Sequence, residues 1–379
     1  MIEEACDIAI VGAGIVGLAH ALAATRLGLR AIVVDRDAQA NGASIRNFGF
    51  VTVTGQEAGT VWQRARRSRD VWLEVAGPAG IAIEQRGLVL VAQRPEARAV
   101  CETFLETDMA EGCAWLDRAE AKALLTPMQP VMLEGALTSS VDIRVESRTA
   151  IPALAAWLAE AKGVVFHRSE TVLSVETGRI ETARRRITAG AIVVCPGDDF
   201  YALFPEALVA AGVTRCKLQM LRLASPGFRL PGAIMSDLGL VRYLGYSQLP
   251  EAAALKTRLE AERAAQLANG IHLIVTQSRD GSLIVGDSHH YAATPDPFAD
   301  DAVDALILDE FREVFGMVPA ITERWIGTYA SGPQHSVALA PLPGVRLVTV
   351  TSGTGASTSF ALAEEVMSEL TGQDVRALA

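Results

Sequence analysis

The residues best placed to do chemistry begin with three glycines. Gly12-Ala13-Gly14-Ile15-Val16-Gly17 closes the apolar, β-branched run 7–11 and opens an Ala/Leu-rich stretch that reaches Gly28. Glycine at the first position permits a tight turn, at the second it lets backbone approach a pyrophosphate, and at the third it lets a helix sit against its strand. The start of that helix offers unpaired N–H groups to the anion. A second strand, 31–34, leads into Asp35, placed to accept hydrogen bonds from adenosine ribose hydroxyls. The order strand, glycine loop, helix, strand, acid predicts a dinucleotide site. At the far end of the chain the geometry recurs: strand 345–350, the small-residue loop Thr351-Ser352-Gly353-Thr354-Gly355-Ala356, then a helix from Ser357 to 370. A nicotinamide cofactor needs one such loop. A flavin stretched across a domain gains from a second helix N-terminus, because reduction places negative charge near N1 and the C2 carbonyl, where N–H groups at Ser357 stabilise it.

Between these ends the pattern changes twice. A helix is expected over 61–75, with Trp62, Ala65, Trp72 and Val75 on one side and Arg64, Arg67 and Asp70 on the other, the arginines forming a solvated face. Strands 87–92 and 132–137 flank a helix at 96–111, and a helix over 147–161 leads to strands at 164–166, 171–176 and 191–195. From about 214 to 319 strands alternate (217–223, 240–246, 271–276, 282–285), interrupted by helices 251–268 and 300–315. That is the texture of an antiparallel sheet with helices on one side. The expected fold class is therefore α/β plus α+β: a Rossmann-like cofactor-binding domain (1–80, 140–213 and 325–379) interleaved with a substrate domain on a mainly antiparallel sheet (81–139 and 214–324).

Composition narrows the partners. The 379 residues carry 34 Lys+Arg against 44 Asp+Glu, a formal charge of −10, which argues against nucleic acid. Half of the chain is hydrophobic and the mean hydropathy is +0.25, yet the apolar stretch 15–29 contains His20, Thr25 and Arg26. No window approaches the roughly 20 apolar residues of a spanning helix. The acidic start, Met1-Ile2-Glu3-Glu4, lacks the basic residues of an export signal, and a cytoplasmic location is expected. Five cysteines without a C-x-x-C pair, and six histidines whose only close pair is the adjacent His289-His290, predict neither disulfides nor a metal site.

Several further segments carry a resemblance. Ala43-Ser44-Ile45-Arg46-Asn47-Phe48-Gly49, the run Ile192 to Gly197, Trp325-Ile326-Gly327 and the Gly353-Thr354-Gly355 turn, together with the opening loop, resemble the FAD-dependent D-amino-acid oxidase superfamily, which includes glycine oxidase and sarcosine oxidase. The likeness spans essentially the whole chain. Within it, Ile45 to Gln56, Cys216 to Arg222 and Gly286 to Tyr291 are similar to a subgroup associated with bacterial phosphonate catabolism. The resemblance implies non-covalent FAD and oxidation of a C–N bond by hydride transfer to flavin N5, with O₂ or another electron acceptor. It implies that Gly12, Gly14, Ile15, Val16, Gly17, Asp35 and Arg36 hold the ADP part. Ser44, Arg46, Asn47, Phe48 and Gly49 would run beside the pyrophosphate and isoalloxazine. Val172 would present backbone to adenine, and Gly197, Gly353, Thr354, Gly355, Ala356, Ser357 and Thr358 would cover the flavin.

Departures from the family pattern point to the substrate. Amino-acid oxidases of the family continue Trp-x-Gly-x-Arg-Pro, whose arginine clamps a carboxylate; this chain reads Trp325-Ile326-Gly327-Thr328-Tyr329-Ala330. No cysteine follows Cys216 to tether the flavin, and Ile284 stands where sarcosine oxidases use a lysine for the oxygen reaction. A tetrahedral phosphonate is better served by several donors than by one planar fork. The candidate donors are Arg46, Lys217, Arg242, Tyr243, Tyr246, His289, His290 and Tyr329, with one of the two histidines facing the site. The expected substrate is a small anionic amine such as N-methyl-2-aminoethylphosphonate. Glycine or sarcosine oxidation, a flavin-dependent monooxygenase (from the Gly286-Asp287 loop) and a non-catalytic flavin sensor are the alternatives.

Overall fold

The fold was obtained as a computed structural model, which describes residues 1–378. Five strands run parallel in the order Val165–His167, Ala31–Val34, Ile2–Val11, Arg185–Val194 and Val345–Ser352. Period-two alternation assigns their side chains to two cores. Ile8, Ile10, Val33 and Val193 face the helices Ile15–Arg26, Thr60–Ala76, Ser147–Lys162 and Gly355–Thr371. Ala9, Ile32, Val34, Ile192 and Val194 pack on the opposite side with Val172, Ile180 and Leu208. Burial on both faces explains why these strands read as unbroken apolar runs.

The C-terminal helix is fixed to the helix Thr60–Ala76. Trp72 meets Phe360 edge to face at 5.1 Å, and its indole N–H donates to Ala356 O at 2.8 Å. Glu364, almost fully buried, receives Arg26, Arg67 and Arg376 at 2.7, 2.8 and 3.1 Å. Arg64 pairs with Glu365 at 2.6 Å. The arginine face expected to be solvated is thus a clamp on the helix that begins at the second glycine turn.

The other half of the molecule is a sheet of Thr214–Leu223, Leu283–Gly286, Ile274–Gln277, Ala233–Ser236, Ile83–Ala92 and Gly135–Val145, antiparallel except where Ala233–Ser236 runs beside Ile83–Ala92. Its helices cover both faces, correcting the one-sided expectation. Leu88 and Leu90 pack with Leu255 and Leu259, whereas Val89 and Val91 pack with Ile307 and Phe311. The long strand Ile321–Leu339 pairs with both Thr214–Leu223 and Val345–Ser352 and so ties the two halves together. The Rossmann-like part is therefore interrupted and resumed in the chain, as an interleaved architecture requires.

One misread element matters for the site. The segment 240–246 forms helical turns, Asp237–Val241 and Leu244–Ser247, instead of a strand. Gly245 makes this possible: a Cβ there would lie 2.4 Å from Gln56 O, so only glycine lets the turn press onto the 55–56 backbone. No helix among the described residues is long and apolar enough to cross a membrane.

Candidate active site

Both glycine turns open onto one cavity of about 450 Å³. At the first, Gly12 adopts φ +98°, and a Cβ on it would lie 2.4 Å from Cys195 O; a Cβ on Gly17 would lie 1.9 Å from Gly12 O. The helix start is thereby held against its strand with Ile15 and Val16 lining the cavity. Ser44 Oγ accepts from Ile15 N at 2.9 Å. Asp35 accepts from Ala13 N at 2.6 Å and Asp37 N at 2.8 Å, so its carboxylate locks the loop while keeping lone pairs for ribose hydroxyls. Arg36 pairs with Asp199 at 2.5 Å.

The second turn closes the other side. Gly353, at φ +74°, lies so close to the Tyr329 ring that a Cβ would meet it at 3.1 Å. Thr354 O accepts from Ser357 N and Thr358 N, while Ser357 Oγ accepts from Thr52 N at 2.9 Å. Gly353, Thr354, Gly355, Ala356 and Ser357 line the cavity, as does Gly197. Between the turns, Asn47 Oδ1 accepts from Gly49 N and Ser147 Oγ, which fixes the 43–49 loop and brings Ser44, Arg46, Asn47 and Phe48 to the wall. Gly49 lines no part of it but is sterically required, since a Cβ would fall 1.8 Å from Val145 O. Val172 and Thr358 are buried outside the lining. Two helix N-termini and a glycine-walled cleft fit an extended anionic dinucleotide such as FAD.

Of the proposed substrate-side residues, Arg46, Arg242, Tyr243, His289 and Tyr329 share this cavity. Three others do not. Lys217 turns away to bind Asp296 at 2.7 Å and Phe298 O at 3.1 Å, because its position on Thr214–Leu223 faces the 296–298 loop. Tyr246 packs on Phe104 at 4.6 Å, carried into the core by the helical turn that replaces the expected strand. His290, the first residue of the strand His290–Ala292, bonds Asn269 Oδ1 at 3.0 Å and does not line the cavity. None of the five cysteines lines the cavity among the described residues, and Ile284 is buried in the neighbouring core.

Sequence reasoning missed His272, Asp287 and Tyr291. His272 and Asp287 are 15 positions apart, a spacing without a motif. The pairing of Ile274 with Gly286 extends to bring the residues before one strand beside those after the other. His272 and His289 rings lie 5.0 Å apart, and Tyr243 stacks edge-on to His272 at 5.5 Å. Arg242 Nη2 donates to Tyr291 Oη at 3.0 Å.

Burial sets the electrostatics. It pushes the Asp287 carboxyl up to about 7 against the opposing pull of Arg242, and it drives His272 and His289 well below the usual histidine range, with Arg242 adding to the effect. Tyr243 and Tyr329 are raised by burial and stay neutral. At neutral pH Arg242 is therefore a fixed cation among the neutral Tyr243 and Tyr329 hydroxyls and the uncharged His272 and His289 imidazoles, while Arg46 and Glu57 line the same cavity. Such a set can bind an anion and exclude water from a neutral amine.

A family model described as "DAO: FAD dependent oxidoreductase" matches residues 7–369. Glycine oxidase from Geobacillus kaustophilus superposes with a TM-score of 0.76 at 16% identity, covering 98% of this chain and 95% of that one. L-proline dehydrogenase from P. horikoshii gives 0.77 at 17%, covering 98% and 94%. L-α-glycerophosphate oxidase from Mycoplasma pneumoniae, with FAD bound, gives 0.74 at 15%, covering 97% and 95%. No curated protein sequence matches the chain.

Proposed function

The chain belongs to the DAO family of FAD-dependent oxidoreductases, and from that premise we propose that it oxidises the C–N bond of a small amine bearing an anionic group, an N-alkylated 2-aminoethylphosphonate such as the N-methyl compound. The observation that carries this reading is the company Arg242 keeps. Its guanidinium opens on the same cavity as the Tyr243, Tyr291 and Tyr329 hydroxyls, giving several donors around one charge. Tyr329 occupies the position where the family resemblance implies a carboxylate-clamping arginine. A tetrahedral oxyanion uses such a distributed set better than a planar carboxylate does.

FAD, when bound, supplies acceptance of a hydride from the carbon next to nitrogen. The chain's own residues do the rest. Arg242 and the tyrosine hydroxyls hold the anion and so fix the position of the amine. Phe48, Phe50, Leu218 and Met220 form an apolar wall beside them, a low-dielectric setting that favours the neutral amine over ammonium. Gly353 and Ser357 bring the second helix N-terminus to the cavity wall, where it would stabilise developing negative charge. The imine released is hydrolysed by water to a primary amine and an aldehyde, with O₂ or another acceptor taking the two electrons. Product analysis tests this: N-methyl-2-aminoethylphosphonate should yield 2-aminoethylphosphonate and formaldehyde one to one. Absence of both products, with the flavin bound and the protein folded, overturns it.

A second reading is oxidation of a glycine- or sarcosine-type amino acid. It is supported by the forked guanidinium of Arg242, which a carboxylate can accept bidentately, and by the likeness to glycine oxidase.

A further inference from the structure

We propose that His272, Asp287 and His289 form a binding site for one divalent transition-metal ion, open on its cavity side. One donor atom from each residue lies within 4.8 Å of the others. His272 Nδ1 is 3.6 Å from Asp287 Oδ1, and His289 Nε2 is 3.7 Å from Asp287 Oδ2. These separations are too long for hydrogen bonds. They are close to the roughly 3.4 Å between two ligands of a tetrahedral zinc ion with bonds near 2.1 Å. All three side chains are more than nine-tenths buried. His272 Nδ1 and Asp287 Oδ1 have no hydrogen-bond partner among the described residues, an arrangement that costs free energy unless something binds them.

The surroundings orient the donors. His289 Nδ1 lies 2.9 Å from Gly270 O. A carbonyl only accepts, so Nδ1 carries the proton and Nε2 keeps its lone pair toward Asp287, the arrangement that metal-binding histidines use. Two imidazoles and one carboxylate suit zinc or a first-row neighbour, and three protein ligands leave a position for an exogenous one. The opposing influence is Arg242, a second positive charge on the same cavity. An ion beside it binds best together with an anion, and this clause rests on the anionic substrate proposed above. The sequence expectation of no metal looked for ligands at motif spacing, whereas strand pairing assembles this set.

The test uses the FAD-bound protein, treated with chelator and titrated with Zn²⁺ by calorimetry, with and without methylphosphonate. The expected result is one Zn²⁺ per chain, bound more tightly with methylphosphonate. Binding should be lost in His272→Ala and Asp287→Asn and retained in His290→Ala, all with an unchanged flavin spectrum and melting temperature. No stoichiometric Zn²⁺, or stoichiometric binding that survives both ligand substitutions, overturns the site. Equal affinity with and without methylphosphonate overturns the anion clause. Should His272→Ala not fold, His272→Gln replaces it with the same readout. No amine and no turnover enter the titration, so failure of the substrate reading can remove only the methylphosphonate effect and leaves the Zn²⁺ stoichiometry and its loss in the ligand variants unchanged.

Discussion

Replacing Arg242 by alanine removes the fixed positive charge that shares the cavity wall with Tyr243, Tyr291 and Tyr329. A hydrogen bond to a charged group contributes about 1.5–3 kcal/mol, and a pair of unit charges 4 Å apart at an effective dielectric constant of 20 interacts by about 4 kcal/mol. Taking about 3 kcal/mol, the affinity for an anionic amine should fall on the order of 150-fold. Arg242 is bonded to Tyr291, an exposed tyrosine, and the buried Asp287 that loses its opposing pull is driven further toward the neutral acid, so the fold should survive. Anaerobic stopped-flow flavin reduction separates the two effects: the apparent Kd should rise by that factor while the limiting reduction rate changes far less. Arg242→Lys should recover part of the affinity, because it restores the charge without the fork. An unchanged Kd in Arg242→Ala, with an intact flavin spectrum, would refute the assignment of the anion to this residue.

Three further outcomes follow from the geometry. Gly17→Ala puts a methyl 1.9 Å from Gly12 O, a backbone atom that cannot yield, so the helix must move off the strand and purified protein should lose most of its flavin; full flavin content contradicts the loop's role. Burial raises the Glu310 carboxyl from 4.5 to about 7, so the folded state holds a proton the unfolded state has released, and stability declines as pH rises through that window. Urea melts at about pH 5 and about pH 8 should therefore show wild type losing on the order of 3 kcal/mol relative to Glu310→Gln; equal losses refute it. Tyr246→Phe removes a buried hydroxyl that has no partner among the described residues, so stability should change by less than about 1 kcal/mol and kcat/KM by less than about two-fold; a large loss of activity would return Tyr246 to the site.

Local chemistry made the cofactor side legible. Gly12, Gly14, Gly17 and the 353–357 turn act through their own backbone and immediate neighbours, so spacing alone predicts where they sit. The substrate side depends on long-range pairing, and there the reading divides. His289 and Tyr329 were recognisable, but choosing between His289 and His290 required the strand's orientation. Lys217 has the right chemistry and the wrong direction, because Asp296 and Phe298 lie on its face. Tyr246 and Arg242 exchanged importance once the segment around them proved helical: the turn delivers Arg242 and Tyr243 to the cavity and sends Tyr246 into the core. His272 and Asp287 had no local signal, since only the pairing of Ile274–Gln277 with Leu283–Gly286 makes them neighbours. The placing of Arg242 on the cavity of a chain with a net charge of −10 is likewise invisible to that net charge.

The central claim is that this flavoenzyme takes an amine by its anion. Anaerobic flavin reduction, measured in parallel with amines that carry a phosphonate, a carboxylate, a sulfonate or no anion, tests it most directly. The account predicts rapid bleaching by N-methyl-2-aminoethylphosphonate, slower bleaching by sarcosine and none by a simple alkylamine. Bleaching by sarcosine or glycine, with none by any phosphonate amine, would contradict it.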